Sequence, residues 1–336
     1  MAPRDRTPKN AARPGKSSHW PSPHVLALQD AKPADIRALL HLAVRCIPHA
    51  QPGATPIPAL YGRTVANLFL EDSTRTRLSF TLAARRLGAI TLDLTASASS
   101  VNKGESLHDT AKTLVAMGAE AVVIRHSSAG AALLLSREVD ACILNAGDGR
   151  HEHPTQGLLD VLAIGEAFDR LDSFDFRGLR IAIIGDLANS RVARSDIAAL
   201  TALGATVVCA GPPALAPKEF AALGCTLVHD PDEALEGAHA VQMLRVQLER
   251  AAAVGSLKEY ADSWQLTPQR AARLGKGAII MHPGPMNRGV EIHPSVADSA
   301  QARMERQVAL GVPVRMACLL ATFHSKGLIP ASALKP

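Results

Sequence analysis

Residues 64–94 read TVANLFLEDSTRTRLSFTLAARRLGAITLDL, and the fold class follows from how the pattern changes along them. Residues 64–70 form a short β-branched and aliphatic run of the kind that fills a buried strand. Ser73-Thr74 then supplies hydroxyl residues suited to opening a helix, 75–87 carries helical Ala/Leu spacing, and 89–94 returns to a strand pattern. Further strands are expected at 120–125 and 141–144, with a helix over 107–117. A second series follows at 179–185, 205–210, 224–229, 239–244 and 277–281. Both series read as parallel sheets.

A helical pattern that begins after Pro154, with Leu158, Leu159, Val161 and Leu162, runs into LDSFDFRG and links the two series. The chain of 336 residues is 47% hydrophobic, enough for two cores, and its 3% aromatic content favours aliphatic helix-on-sheet packing. The fold class expected is α/β, with two domains, each a mostly parallel sheet flanked by helices. Residues 1–24 are expected as a flexible basic arm, 25–158 as the first domain and 159–307 as the second, with a C-terminal helix at about 308–325 packing back on the first.

The arm rests on charge and composition. Arg4, Arg6, Lys9, Arg13 and Lys16 face only Asp5 there, so most of the net charge of +5 lies in this segment and the remaining chain is close to neutral. Nucleic acid is therefore not expected as a partner: the body shows no basic face in the sequence and few aromatics for stacking bases. Cys46, Cys142, Cys209, Cys225 and Cys318 are scattered without a C-x-x-C pair or zinc-ligand spacing, so neither a disulfide framework nor a metal site is indicated. Without a signal-peptide pattern or a run long enough to span a bilayer, the expected setting is the cytoplasm, with no membrane partner.

In open parallel sheets ligands bind beyond the carboxyl ends of the strands, which makes the residues after each run the place to look. Ser73-Thr74-Arg75-Thr76-Arg77 sets arginines in the first turns of a helix, where the macrodipole disfavours them. A bound phosphate resolves that conflict, because free N–H groups, hydroxyls and guanidinium converge on an anion. Lys103, in a Ser/Asn/Gly-rich stretch with Ser99, can bring a point charge to a ligand or stand as a solvated loop lysine. Arg125 ends the third strand, and His153 precedes Pro154 and Gln156 at the start of the linking helix. His153 can donate to a developing oxyanion or simply cap its helix, and Gln156 can orient a neighbouring amide. Arg191, Arg245 and Gln247 suit a dicarboxylate, unless the arginines pair with Asp186 or Glu249. No Ser-His-Asp arrangement is visible, so the chemistry implied is alignment and electrostatic stabilisation without a covalent intermediate.

In order and spacing these segments resemble the transcarbamoylases. The likeness rests on Ser73 through Arg77, Ser99 through Glu105, Arg125-His126, Gly147-Asp148-Gly149-Arg150 with His153-Pro154-Thr155-Gln156, Gly185-Asp186 to Arg191, Arg245-Val246-Gln247, and Met281 through Gly289. It implies that Ser73, Thr74, Arg75, Thr76 and Arg125 grip the phosphate of carbamoyl phosphate. It further implies that Thr76, Arg125 and His153 polarise the carbonyl oxygen, and that Gln156 with the carbonyls of Pro283 and Gly284 holds the carbamoyl NH₂. Arg75, Thr76, Arg125 and His153 are thereby the expected catalytic groups. Arg191, Arg245, Gln247 and Lys103 fall to the acceptor, L-aspartate. Ser99 and Lys103 are expected from a neighbouring subunit of a homotrimer with shared active sites, and a dihydroorotase-like or regulatory chain is a possible further partner. No cofactor is implied. An ornithine acceptor goes with an HCLP motif, where this chain has His282-Pro283-Gly284-Pro285; a catalytically silent relative is disfavoured by the full set of polar groups.

Overall fold

The computed structural model describes residues 19–95, 105–246 and 256–335. Strands β1 (His24–Val25), β2 (Thr64–Phe69), β3 (Ile90–Thr95), β4 (Ala121–His126) and β5 (Cys142–Asp148) form one parallel sheet in the order β1-β5-β4-β2-β3. Around it lie α1 (Pro33–Ala50), α2 (Thr74–Arg86), α3 (Leu107–Ala116) and α4 (Ala131–Glu138). Helix α5 (Pro154–Ala167) leads into a second parallel sheet, β6 (Arg180–Ile184), β7 (Thr206–Ala210), β8 (Thr226–Val228), β9 (Ala240–Met243) and β10 (Ile279–Met281), ordered β10-β9-β6-β7-β8. Its helices are α6 (Arg191–Ala202), α7 (Pro231–Leu235), α8 (Leu257–Trp264), α9 (Pro268–Ala271) and α10 (Pro294–Ala297), and α11 (Met304–Ser325) closes the chain.

The expected α/β class with two parallel sheets is what the chain forms. In the first sheet the chain passes from β2 to β3 on one side and then crosses to β4 on the other; in the second it passes from β6 through β7 and β8 before crossing to β9. The winding therefore reverses between β2 and β4 and again between β6 and β9. Those two crevices are where such sheets receive ligands.

Sequence pattern and structure differ at several places. The regular alternation begins before Val65, because β1 and α1 precede it; α1 buries Ile36, Leu39, Leu40, Ala43 and Cys46 at helical spacing. Residues 19–24 are not part of a loose arm. Trp20 is buried, its indole N–H donates to the His24 carbonyl at 2.8 Å, and the Ser325 hydroxyl donates to the Trp20 carbonyl. One large indole offsets the polar composition around it, while residues 1–18 lie outside the described part. A division at 158/159 falls inside α5, a helix buried along nearly its whole length. Close packing there has a steric basis: a Cβ on Gly157 would meet Ser195 of α6 at 2.9 Å, and one on Gly165 would meet Phe174 at 2.9 Å.

Helix α11 begins at Met304 and packs on α1, α2 and α5, so the last segment of the chain returns to the first sheet's helices. It is long and apolar enough to cross a membrane, yet 78% of its apolar window is buried inside the protein, which makes it a core helix.

Candidate active site

One cavity of about 450 Å³ lies between the carboxyl ends of the two sheets. Ser73, Thr74, Arg75, Thr76, Arg125, His153, Gln156, Arg191, Arg245, Pro283 and Gly284 all line it, so every expected site residue within the described segments meets in one place. Ser99, Lys103 and Gln247 lie outside the described residues.

The α2 end of the cavity is built for an anion. Ser106 and Ser190 cap α3 and α6 through their hydroxyls, but Ser73, in the same position on α2, makes no side-chain cap bond. The first N–H groups of α2 therefore keep their donors for something else. No acidic residue stands in that first turn, and Arg75 sits over Gly284, whose φ of 62° and missing side chain make room: a Cβ there would meet the Arg75 Cζ at 3.1 Å. Burial and the neighbouring Arg245 both lower the Arg75 pKa, as expected of a cation held for a counter-ion.

Arg125 projects from the end of β4 where pairing with β5 slips between Ile124 and His126, a local irregularity that re-aims the strand end. Its guanidinium donates to the Ala146 carbonyl at 3.2 Å and to Glu71 Oε1 at 2.7 Å. Arg191, from the other half, donates to the same Glu71 oxygen at 2.6 Å. Glu71 is thus an acidic partner of Arg191. One carboxylate oxygen holds the facing guanidinium groups of both halves.

His153 is not a capping histidine: its ring makes no cap bond, although it occupies the N-cap position of α5. Its backbone N–H donates to Ser195 Oγ at 2.9 Å, and that hydroxyl donates to Glu152 Oε2 at 2.8 Å. Glu152 in turn accepts the N–H groups of Leu28 and Gln29, which ties the start of α5 to α6 and to the N-terminal segment. The imidazole is buried, with Nδ1 lacking a partner, and burial together with Arg125, Arg315 and Arg191 drives its pKa well below the ordinary histidine value. A neutral ring is the result. Gln156 donates through Nε2 to Asp160 at 3.0 Å, which leaves its Oε1 as an acceptor on the cavity side.

The turn 282–285 completes the rim. His282 is buried, its Nδ1 accepts the Gly284 N–H at 2.8 Å, and burial with Arg75 and Arg245 pushes its pKa down to about 3. Glu71, Asp160, Gln307 and Arg315 had no role assigned from sequence. Arg315 is the clearest: a buried cation on an apolar helix, its guanidinium 5.1 Å from the Phe80 ring, its pKa lowered to about 10 chiefly by burial. A Gln and an Arg eight positions apart in the apolar run of α11 were the available signal, since that spacing shares one helical face. No cluster of three or more His, Cys, Asp or Glu placed to hold a metal occurs among the described residues, and all five cysteines are buried and unpaired by disulfides.

Residues 23–166 match the aspartate/ornithine carbamoyltransferase carbamoyl-P binding domain, and residues 177–322 match the Asp/Orn binding domain of the same family. The chain belongs to the aspartate/ornithine carbamoyltransferase family. Within that family it is 49% identical over 313 residues to the aspartate carbamoyltransferase catalytic subunit of Granulibacter bethesdensis, covering 92% of this chain and 98% of the relative. The aspartate transcarbamoylase of Trypanosoma cruzi, solved with N-(phosphonacetyl)-L-aspartic acid, superposes with a TM-score of 0.76 at 32% identity, covering 92% of this chain and 97% of that one. An ornithine carbamoyltransferase from Pyrococcus furiosus reaches a TM-score of 0.79 at 27% identity, covering 90% and 97%. Backbone shape alone therefore does not separate the two acceptors within the family.

Proposed function

We propose that this chain transfers the carbamoyl group of carbamoyl phosphate to the amino group of L-aspartate, giving N-carbamoyl-L-aspartate and phosphate, an early step of de novo pyrimidine biosynthesis. The observation that carries this reading is the pairing, across one cavity, of an uncapped helix N-terminus beside Arg75 and Arg125 with Arg191 and Arg245 on the opposite wall. One wall suits a phosphate and the other suits two carboxylates.

The phosphate binds at the start of α2, held by Ser73, Thr74, Arg75, Thr76 and Arg125. The carbamoyl NH₂ donates to Gln156 Oε1 and to the carbonyls of Pro283 and Gly284. Thr76, Arg125 and the neutral His153 face the carbonyl oxygen; a neutral imidazole can donate its N–H there without first losing a charge. Each such donor is worth about 3 kcal/mol once the oxygen becomes anionic. Arg191, Arg245 and Gln247 take the carboxylates of aspartate and aim its unprotonated amine at the carbonyl carbon. Attack gives a tetrahedral adduct, the C–O bond to phosphate breaks, and the departing phosphate accepts the amine proton. Anions entering either wall compete with Glu71 for Arg125 and Arg191, so occupation and release of the cross-half bridge are coupled.

Aspartate is favoured over ornithine because the acceptor wall presents two guanidinium groups, Arg191 and Arg245, and because relatives near 50% identity carry the aspartate name. The assembly proposed is a homotrimer in the cytoplasm. Its support is that β3 is an edge strand with Ile90 exposed, and that Ser99 and Lys103 follow it directly in the chain. The deciding assay is phosphate release from carbamoyl phosphate with L-aspartate or L-ornithine as acceptor, with Arg75→Ala as control. Release with aspartate, lost in the control, is the expected result; release with ornithine alone overturns the acceptor, and none with either overturns the activity.

A further inference from the structure

Behind the cavity, Asp160 of α5 and Asp196 of α6 are both buried at 1% exposure. Three amide groups converge on Asp160: Gln156 at 3.0 Å and Gln307 at 2.7 Å on Oδ1, and Gln242 at 3.0 Å on Oδ2. Gln156 also lies 3.3 Å from Oδ2, the longest of these contacts, so Oδ2 is the less tightly held oxygen and the one open to a stronger donor. Asp196 has a difficulty of its own. Among the described residues neither of its oxygens receives a hydrogen bond, which for an ionised carboxylate at this depth is strongly unfavourable. Helices α5 and α6 pack closely here, Gly157 against Ser195, and the difficulty vanishes if Asp196 is the neutral acid and its O–H donates to Asp160. Burial and the charge of Asp160 act in that direction, holding Asp196 well above the usual carboxylate range.

Asp160 also connects the acceptor groups of the cavity. Gln156 is anchored through its NH₂, which turns its Oε1 toward the carbamoyl position. Gln307 donates to Asp160 and accepts the His282 backbone N–H at 2.9 Å, which fixes the turn carrying the Pro283 and Gly284 carbonyls. We propose that Asp160 and Asp196 share one proton, and that this acid pair is the fixed point from which both acceptors for the carbamoyl NH₂ are aligned. The alignment part rests on the function proposed above; the proton sharing does not. Asp160 and Asp196 are positioning residues, acting through Gln156 and Gln307. The groups facing the pair are Gln156 of α5, Gln242 of β9, Gln307 and the Arg315 guanidinium of α11, and the Cys209 thiol of β7.

The unfolded chain releases these two protons near pH 4, whereas the folded pair keeps them to higher pH. The pair's contribution to stability is therefore fullest below about pH 4 and is lost progressively as pH rises; Asp160 gives up its own proton at about 7, and above that the pair holds the one shared proton, kept on Asp196 to higher pH. The test compares thermal unfolding of the full chain with Asp196→Asn and Asp196→Leu between about pH 5 and about pH 8. The Asn amide supplies the donor without a titrating proton, so its midpoint gains about 3 °C or more on the wild type across that range; parallel curves overturn the shared proton. Infrared spectra at about pH 8 are expected to show the C=O stretch of a buried neutral acid that disappears in Asp196→Asn, and a wild type lacking it also overturns the proposal. In kinetics, Asp196→Leu raises the carbamoyl phosphate KM about ten-fold, the loss of one ordinary hydrogen bond, and Asp196→Asn recovers most of it. Equal KM values in both variants overturn the alignment. A wild type without any carbamoyl transfer refutes the function, while melting and infrared spectra still decide the proton.

Discussion

Replacing Glu71 by Gln keeps an oxygen in place between Arg125 and Arg191 but removes the charge that holds them. The two guanidinium groups are 14% and 16% exposed and share one carboxylate oxygen at 2.7 and 2.6 Å. Removing one partner from a buried pair costs about 3–5 kcal/mol. Glu71 itself is 27% exposed, and water screens part of that field, so about 2–3 kcal/mol is the figure expected here. For a chain of this size that lowers the unfolding midpoint by about 5 °C. The more telling part is the response to inorganic phosphate. An anion at the start of α2 resupplies charge beside Arg125, so saturating phosphate raises the midpoint of Glu71→Gln more than that of the wild type and closes at least half of the gap. Thermal unfolding with and without phosphate measures both numbers. If phosphate shifts the two proteins equally, Glu71 is not standing in for the anion and the coupling between bridge and ligand is wrong.

Ser73 and Ser190 occupy equivalent cap positions but only Ser190 caps, its hydroxyl accepting the Ala193 N–H at 3.0 Å. Ser190→Ala is therefore expected to lose about 1 kcal/mol of stability in urea unfolding, whereas Ser73→Ala loses little stability and weakens carbamoyl phosphate binding. His153 and His282 have lowered pKa values, so the stability they contribute is present above the free value near 6.5 and lost as pH falls below it, toward about 3 for His282. Each unpaired proton steepens the acid side by up to about 1.4 kcal/mol per pH unit, and His282→Asn, whose oxygen can accept the Gly284 N–H, is expected to flatten it in urea unfolding from pH 7.5 to 5.5. Because His153 is neutral throughout that range, His153→Ala is expected to reduce kcat by about 100-fold or more with no added ionisation near 6.5 in the pH profile.

The strands and the α2 end of the cavity were legible because their signals are local. An aliphatic run followed by Ser73-Thr74-Arg75 states both a helix start and a conflict of charge, and the structure leaves that helix uncapped. Arg125, His153, Arg191 and Arg245 could be placed by the single rule that ligands gather at strand ends. What escaped was the material whose meaning depends on distant partners. Trp20 lies among polar residues in the sequence, whereas its neighbours in space are His24 and Ser325. Asp160 sits in an apolar helical run as an ordinary charged residue would; only the approach of Gln242 and Gln307, 82 and 147 positions away, gives it a role.

Those distant partners also explain how a site so rich in cations keeps its histidines neutral. Arg75, Arg125, Arg191 and Arg315 raise the electrostatic cost of a proton on His153 or His282, and burial adds to it. The same arginines repel one another unless an anion lies between them. Glu71 supplies a single negative charge, enough to hold Arg125 and Arg191 but leaving the α2 N-terminus and Arg245 for ligands. A dianionic phosphate and a dicarboxylate supply more charge than Glu71 does, so binding of both substrates favours a closer approach of the walls. The bridge is thus strong enough to assemble the cavity and weak enough to be displaced by what the cavity binds.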